Sequence, residues 1–241
     1  MLKRKSVFLT LSLMLIIALG LAVLCIPKGE LHLLLCDRHT PWRDVFYSHI
    51  TTLAQTFPYI VCLLILLFSR IGDGIFAFTA MFASGLVTQC CKRIVNTPRP
   101  LTWFADNMPD VQLPLTEGVD MNLWYSFPSG HATSFFALAF IVSIVVTRCL
   151  SDKATRYLSD KKSGANGQTA KWLNSISALL QTLFFLFAAF GCYSRLYLSQ
   201  HFAIDILVGS IIGIAVTALI FYLFSPLDGK KWYNYRLFSK K

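Results

Sequence analysis

Three short stretches of this 241-residue chain carry side chains able to handle a phosphate. In the stretch 194–205, SRLYLSQHFAID, Arg195 is a permanent cation, His201 can serve as base or nucleophile, and Asp205 follows His201 by four residues. If the chain is helical from His201 onward the two share a face, because i and i+4 side chains are neighbours. A carboxylate there can hold an imidazole in one tautomer and support the charge it gains, as the acid does in a Ser-His-Asp triad. The same pair near a helix start also reads as a cap with surface polarity. What lifts it above that reading is the presence of two further stretches.

The first of these is KRIVNTPRP, residues 92–100. Lys92 and Arg99 lie seven apart, and Pro98 and Pro100 hold Arg99 in an extended turn. Alone it also reads as an ordinary basic membrane boundary. The second is PSGH, residues 128–131. Pro128, Ser129 and Gly130 open a helix whose free backbone N–H groups and positive dipole end suit a bound phosphate. Ser129 can donate from its hydroxyl or cap the helix, and the two roles are compatible. Gly130 lets the backbone approach a ligand closely, and His131 adds a second imidazole. Together the stretches gather Lys92, Arg99, Ser129, Gly130, His131, Arg195, His201 and Asp205. Ionisable groups at membrane depth are costly and mark functional sites.

Lys-x6-Arg-Pro, Pro-Ser-Gly-His and Ser-Arg-x5-His-x3-Asp, in this order, resemble the signature of the type 2 phosphatidic acid phosphatase superfamily. The match runs through Lys92, Arg99, Pro100, Pro128, Ser129, Gly130, His131, Ser194, Arg195, His201 and Asp205 without a substitution. The resemblance implies an integral-membrane phosphatase working through a phosphohistidine. His201 would be the nucleophile and Asp205 its support, and His131 would protonate the leaving oxygen and then activate water. Lys92, Arg99 and Arg195, with the N–H groups of Ser129 and Gly130, would hold the non-bridging oxygens. Three cations can supply what Mg²⁺ supplies elsewhere in phosphoryl transfer. The chain has no carboxylate cluster suited to a metal there, so metal-independent activity with no cofactor is expected. The implied partners are a lipid phosphate and the membrane, with no nucleic acid and no obligate protein partner. The compact form with one external loop is similar to the bacterial lipid A and undecaprenyl pyrophosphate phosphatases, lipid A phosphate being the first expectation. Undecaprenyl pyrophosphate, phosphatidylglycerophosphate and phosphatidic acid are the alternatives, and lipid-to-lipid phosphotransfer is a variant of the same chemistry.

The elements that must position these residues are apolar. The chain is 55% hydrophobic and 14% charged, with a mean hydropathy of +0.58, which indicates a membrane protein. The apolar runs predict an all-α bundle of six transmembrane helices in a single domain, at about 7–26, 53–69, 75–91, 132–149, 172–193 and 202–224. The first run is long enough to span and lacks a small-residue cleavage site after it. An interfacial helix is expected within 31–54, with Trp42, Phe46 and Tyr47 at headgroup depth. An external loop, 94–127, has Pro98, Pro100, Pro109 and Pro114; loops this long are usually functional. Its Trp103, Phe104, Trp124 and Tyr125 are expected at the interface, guiding a lipid phosphate sideways. Its Asp106, Asp110, Glu117 and Asp120 either pair with the empty basic pocket or are simply solvated. Residues 150–171, with GANG near the middle, are expected to form a flexible cytoplasmic loop. The seven cysteines show no metal or redox spacing and read as small hydrophobes. The basic, aromatic tail suits an anionic leaflet.

The formal charge of +10 is judged by position. Six spans put both ends on one side. Fifteen Lys and Arg, Lys3, Arg4, Lys5, Arg70, Arg148, Lys153, Lys171, Lys230 and Lys231 among them, then share that side. Seven face the other: Lys28, Arg38, Arg43, Lys92, Arg93, Arg99 and Arg195. The imbalance predicts cytoplasmic termini and a periplasmic active site in a bacterial inner membrane. A six-span transporter or lipid-binding protein is the non-enzyme alternative, but its charges would line a mid-membrane pathway. Here they collect at one end. The spread of basic charge over the inner loops argues against a nucleic-acid binder.

Overall fold

The computed structural model describes residues 6–36, 39–159 and 166–237. Lys3, Arg4, Lys5, Arg38, Lys161, Lys162, Lys240, Lys241 and the first part of GANG lie outside the described residues. The helices are α1 (Val7–Cys25), α2 (Lys28–Cys36), α3 (Pro41–Thr52), α4 (Phe57–Phe68), α5 (Ile71–Val95), α6 (Pro100–Asn107), α7 (Gly130–Ser159), α8 (Asn166–Tyr197) and α9 (Ala203–Phe224). A short 3₁₀ turn, Ser225–Gly229, follows. Among the described residues there is no strand. The chain is a helical, multi-pass membrane protein: five of the described helices are long and apolar enough to cross a bilayer, or six if the pair α3 and α4, bent by 49°, counts as one span.

Three regions differ from the sequence reading. The run at 53–69 holds only the 12-residue α4, about 18 Å of helix at 1.5 Å per residue, too short to span by itself. The chain breaks between Thr52 and Phe57, and Pro58 lacks the N–H that would join the two segments. The residues 31–54 are likewise two helices, α2 and α3, with Pro41 opening the second. The stretch expected to be a flexible loop is helical at both ends, since α7 runs on to Ser159 and α8 begins at Asn166. Ala154, Ala170 and Leu173 pack together there with Leu150 against them, so small apolar residues zip the two extensions.

Glycines set the crossing that matters for the site. A Cβ at Gly209 of α9 would sit 2.4 Å from the carbonyl oxygen of Ser129, and one at Gly213 would sit 2.6 Å from that of Thr133. The two lie four apart on one face, so α7 and α9 meet backbone to backbone, as small-x3-small pairs allow. The Thr133 hydroxyl lies 3.1 Å from the Gly209 carbonyl and 2.9 Å from the Thr88 hydroxyl. Three helices therefore meet at one side chain, and the start of α7 is locked beside the start of α9.

The opposite end of the bundle holds a buried charge network. Asp73 of α5 pairs with Arg148 of α7 and with Arg70, and accepts from the Ser69 hydroxyl at 2.6 Å. Arg70 also reaches Asp228 at 2.8 Å. The chain after α9 folds back onto α5: the carbonyls of Tyr235 and Tyr233 accept the N–H groups of Ile71 and Gly72, each at 2.9 Å. Part of the tail expected to bind a leaflet thus satisfies the first N–H groups of a helix that have no partner of their own.

Candidate active site

The end of α5, the start of α7, the end of α8 and the start of α9 lie together, and the three stretches come with them. Helix α9 begins at Ala203, with Phe202 extended before it (φ −81°, ψ 164°). His201 therefore precedes the helix, and its nearness to Asp205 is not that of two residues on one helical face. Asp205 is the third helical residue, and its Oδ2 accepts the Phe202 N–H at 2.9 Å, as the acid of a capping box does. The same oxygen accepts the Ser126 hydroxyl at 2.5 Å and lies 3.4 Å from His201 Nδ1. The turn after α8 is tight: Ser199 has a left-handed φ of 50°. The N–H groups of Gln200 and His201 both donate to the Arg195 carbonyl, at 2.9 and 3.2 Å.

His201 is 1% exposed. Burial pushes its imidazole well below the ordinary 6.5, and the charges of Arg195, Arg99 and Lys92 push the same way, against the Ser126 carbonyl. The ring is neutral near pH 7. With Nδ1 facing Asp205 at 3.4 Å, the proton is assigned there and the lone pair to Nε2.

Lys92, Arg99 and Arg195 are all buried. Among the described residues, none of the three has a carboxylate within ion-pair distance. Neutral oxygens hold them instead. Lys92 Nζ donates to the Tyr125 carbonyl at 2.5 Å, and Arg99 Nε to the Trp124 carbonyl at 3.0 Å. Gln200 Oε1 accepts from Arg99 Nη1 at 2.8 Å and from Arg195 Nη2 at 3.2 Å. Arg195 Nη1 donates to the Thr51 hydroxyl at 2.7 Å, while its Nε is buried without a partner. The loop acids Asp106, Asp110, Glu117 and Asp120 thus do not neutralise the pocket; backbone carbonyls of the same loop line it. Buried like charges without a counter-ion are costly, and an anion relieves them. His131 Nε2 is also buried without a partner, and its ring lies in the field of Arg195, His201, Arg99 and Lys92.

The start of α7 differs in one donor from expectation. The Ser129 N–H donates to the Asp205 carbonyl at 3.0 Å, because the glycine crossing brings α9 against it. It is not free for a phosphate. Ser129 Oγ accepts the Ala132 N–H at 3.4 Å, which leaves its own proton to give. The N–H groups of Gly130 and His131 are the ones left open at this helix start. A Cβ at Gly130 would lie 3.8 Å from the Lys92 side chain, an ordinary contact, so the glycine stands directly beside one of the cations.

The profile of the PAP2 superfamily matches residues 73–227, a range that holds all three stretches. The chain belongs to the PAP2 superfamily. It is 27% identical over 178 residues to a dihydrosphingosine 1-phosphate phosphatase of Schizosaccharomyces pombe. That alignment takes in 73% of this chain and 37% of the relative, so the chain spans well under half of that protein's length. Among solved structures, Aquifex aeolicus LpxE superposes with a TM-score of 0.55 at 23% identity, over 80% of this chain and 93% of that one. A PAP2-type phosphatidylglycerolphosphate phosphatase from Bacillus subtilis superposes with 0.52 at 15% identity, over 93% and 97%. These two likenesses show a shared fold.

Within this PAP2 fold, five contributors to the pocket are invisible to motif reading. They are Ser126 on Asp205, Gln200 between two arginines, Thr51 on Arg195, and the Trp124 and Tyr125 carbonyls. Gln200 and Ser126 stand one and two residues from motif positions, which is the only signal they give. Phe104 is buried, and the rings of Trp103 and Phe104 both pack on Phe202. Gln200 carries a prediction. Gln200→Glu places a carboxylate between Arg99 and Arg195, filling the anion site from within. Inorganic phosphate should bind at least about tenfold more weakly, the scale of one charge-assisted contact, while the unliganded protein melts higher. Thermal melts titrated with phosphate check both, and unchanged phosphate affinity would refute this role for Gln200.

Proposed function

We propose that this PAP2 protein is a membrane lipid phosphatase, removing phosphate from a lipid headgroup through a phosphohistidine on His201. The observation that carries the reading is the set of three buried cations, none with a carboxylate in ion-pair contact, around a neutral imidazole backed by Asp205. His201 Nε2 attacks phosphorus in line, a P–N bond forms, and the bond to the leaving oxygen breaks as His131 delivers a proton to that oxygen. Asp205 holds Nδ1–H and supports the positive charge the ring acquires. Lys92, Arg99 and Arg195, the Ser129 hydroxyl and the N–H groups of Gly130 and His131 hold the non-bridging oxygens, since phosphoryl transfer depends on positioning and charge stabilisation. His131 then takes a proton from water, hydroxide attacks phosphorus, and the P–N bond breaks to release inorganic phosphate and neutral His201.

The substrate is read as a phosphate ester on a lipid. The relatives' names include a sphingoid base phosphate and phosphatidylglycerolphosphate, whose shared feature is a phosphomonoester carried by a lipid. Lipid A phosphate, undecaprenyl pyrophosphate and phosphatidic acid complete the panel. The clustering of catalytic charge at one end, with Arg70, Arg148, Lys153, Lys171, Lys230 and Lys231 at the other, supports cytoplasmic termini and an outward-facing site in an inner membrane.

The reaction is read as metal-independent. Among the described residues, no group of three or more His, Cys, Asp or Glu could hold a metal ion. Purified protein should keep its turnover within about twofold after exhaustive chelation, the cations doing the work a metal does elsewhere. Strict dependence on added Mg²⁺ would contradict it. Phosphate release across the substrate panel tests the function itself; silence on every lipid phosphate would end it.

A further inference from the structure

We infer that Leu123, Trp124 and Tyr125 are the contact for the hydrocarbon chain of the substrate, one residue away from the groups that hold its phosphate. The inference rests on the lipid phosphatase reading and deepens it. These are three consecutive large apolar side chains, 50%, 50% and 48% exposed, in a segment whose three carbonyls are all hydrogen-bonded. The Leu123 carbonyl accepts the Arg99 N–H at 2.9 Å and lies 3.2 Å from the Thr102 hydroxyl, and the Ser126 N–H donates to the Thr97 carbonyl at 3.0 Å. The carbonyls of Trp124 and Tyr125 turn inward onto Arg99 and Lys92. Tyr125 does this with φ at +58°, in the left-handed region where an aromatic residue is strained. A segment held this way, with its carbonyls inward and three greasy side chains outward, is not a slack loop. Strain of this kind is retained where the surroundings demand it, and functional sites are where it collects.

The surroundings say what covers the three side chains. Helix α5 exposes Phe78, Phe82, Leu86, Cys90 and Ile94, one every four residues, and Ile94 is 82% exposed. This is a lipid-facing stripe. Its other face turns Thr88 and Lys92 into the protein. Residues 97–99, on which the 123–126 segment is paired, directly follow the outer end of the stripe. The apolar surface therefore runs up α5, across Leu123 to Tyr125, and stops at the backbone that binds Lys92 and Arg99. A lipid whose phosphate sits between these cations has its chain at this edge. A protein partner would have to compete with bilayer lipid along the whole stripe. A water-soluble phosphate would leave the three side chains untouched.

The test uses the full chain purified in mixed micelles. For the variant Leu123→Ser, kcat/KM on long-chain phosphatidic acid should fall about tenfold, mostly through KM, the scale of one apolar side chain lost from a contact. On p-nitrophenyl phosphate it should stay within about twofold, because the phosphate-holding groups are untouched. Leu123→Met, which keeps an apolar side chain of similar size, should retain long-chain activity. Equal losses on both substrates, or none on the long chain, would overturn the inference. A second readout does not need turnover. Phosphatidic acid with brominated chains should quench Trp fluorescence more than brominated phosphatidylcholine at equal mole fraction, and Trp124→Phe should remove the difference. Quenching with no phosphate release from any substrate would refute the catalytic reading and leave the chain contact standing. Equal quenching by both lipids would mean that Trp124 meets only bulk bilayer, and the inference falls.

Discussion

Replacing His201 with alanine should abolish phosphate release, by about 10⁵-fold or more, the scale seen when the nucleophile of a catalytic unit is removed. The pocket should survive the change. Asp205 keeps its anchors on the Ser126 hydroxyl and the Phe202 N–H, and the cations keep theirs on carbonyls and Gln200. The variant should therefore fold and still bind inorganic phosphate. Asp205→Asn should cost less, roughly 10³- to 10⁴-fold, because it withdraws tautomer control and charge support without removing the attacking nitrogen. Acid- and alkali-quenched single turnovers with labelled lipid phosphate give the deciding readout. Wild-type protein should carry acid-labile, alkali-stable label, and the alanine variant none. Near-normal turnover without His201 would remove the covalent step.

The second large effect is expected far from any polar group. Gly209→Leu puts a side chain where even a Cβ would lie 2.4 Å from the Ser129 carbonyl. The obstacle is backbone, so the helices must part. Shifting Ser129, Gly130 and His131 by on the order of 1 Å relative to His201 should cost about 100-fold in kcat. Overpacking should lower stability by about 1–3 kcal/mol, several degrees of melting temperature. Gly20→Ala is the matched control, since its Cβ would meet only Leu207, at 4.0 Å. If the control and Gly209→Leu behave alike, the close crossing of α7 and α9 does not position the site.

The parts of this arrangement that depend on side-chain identity were readable in the sequence; those that depend on backbone placement were not. His201, Asp205, Arg195, Lys92 and Arg99 announce themselves by type and spacing, and the structure brings them together at one end of the bundle. The apolar runs locate five spans well, but the break between Thr52 and Phe57 is a matter of where a chain bends, and composition is nearly blind to that. The Ser129 N–H looks free in any reading of a helix start, and only the approach of α9 reveals that Asp205 takes it. Trp124 and Tyr125 suggest an interface through their rings, yet their carbonyls are what touch the cations, and a carbonyl is the same in every residue. Residues 150–171 looked like a linker because polar side chains outnumber apolar ones. A few small residues at helical spacing were enough to pack both ends.

Helices α5 and α7 run in opposite directions and are tied twice, by the Thr88–Thr133 hydroxyl pair near the pocket and by the Asp73–Arg148 ion pair at the far end. Fifteen residues separate the two ties on each helix, about 22 Å on both, so the rungs match and neither helix can slide or lean alone. Membrane helices usually adapt to a thicker or thinner bilayer by changing tilt. This pair can tilt only as a rigid frame, so the distance from Lys92 to His131 stays the same in lipids of different chain length.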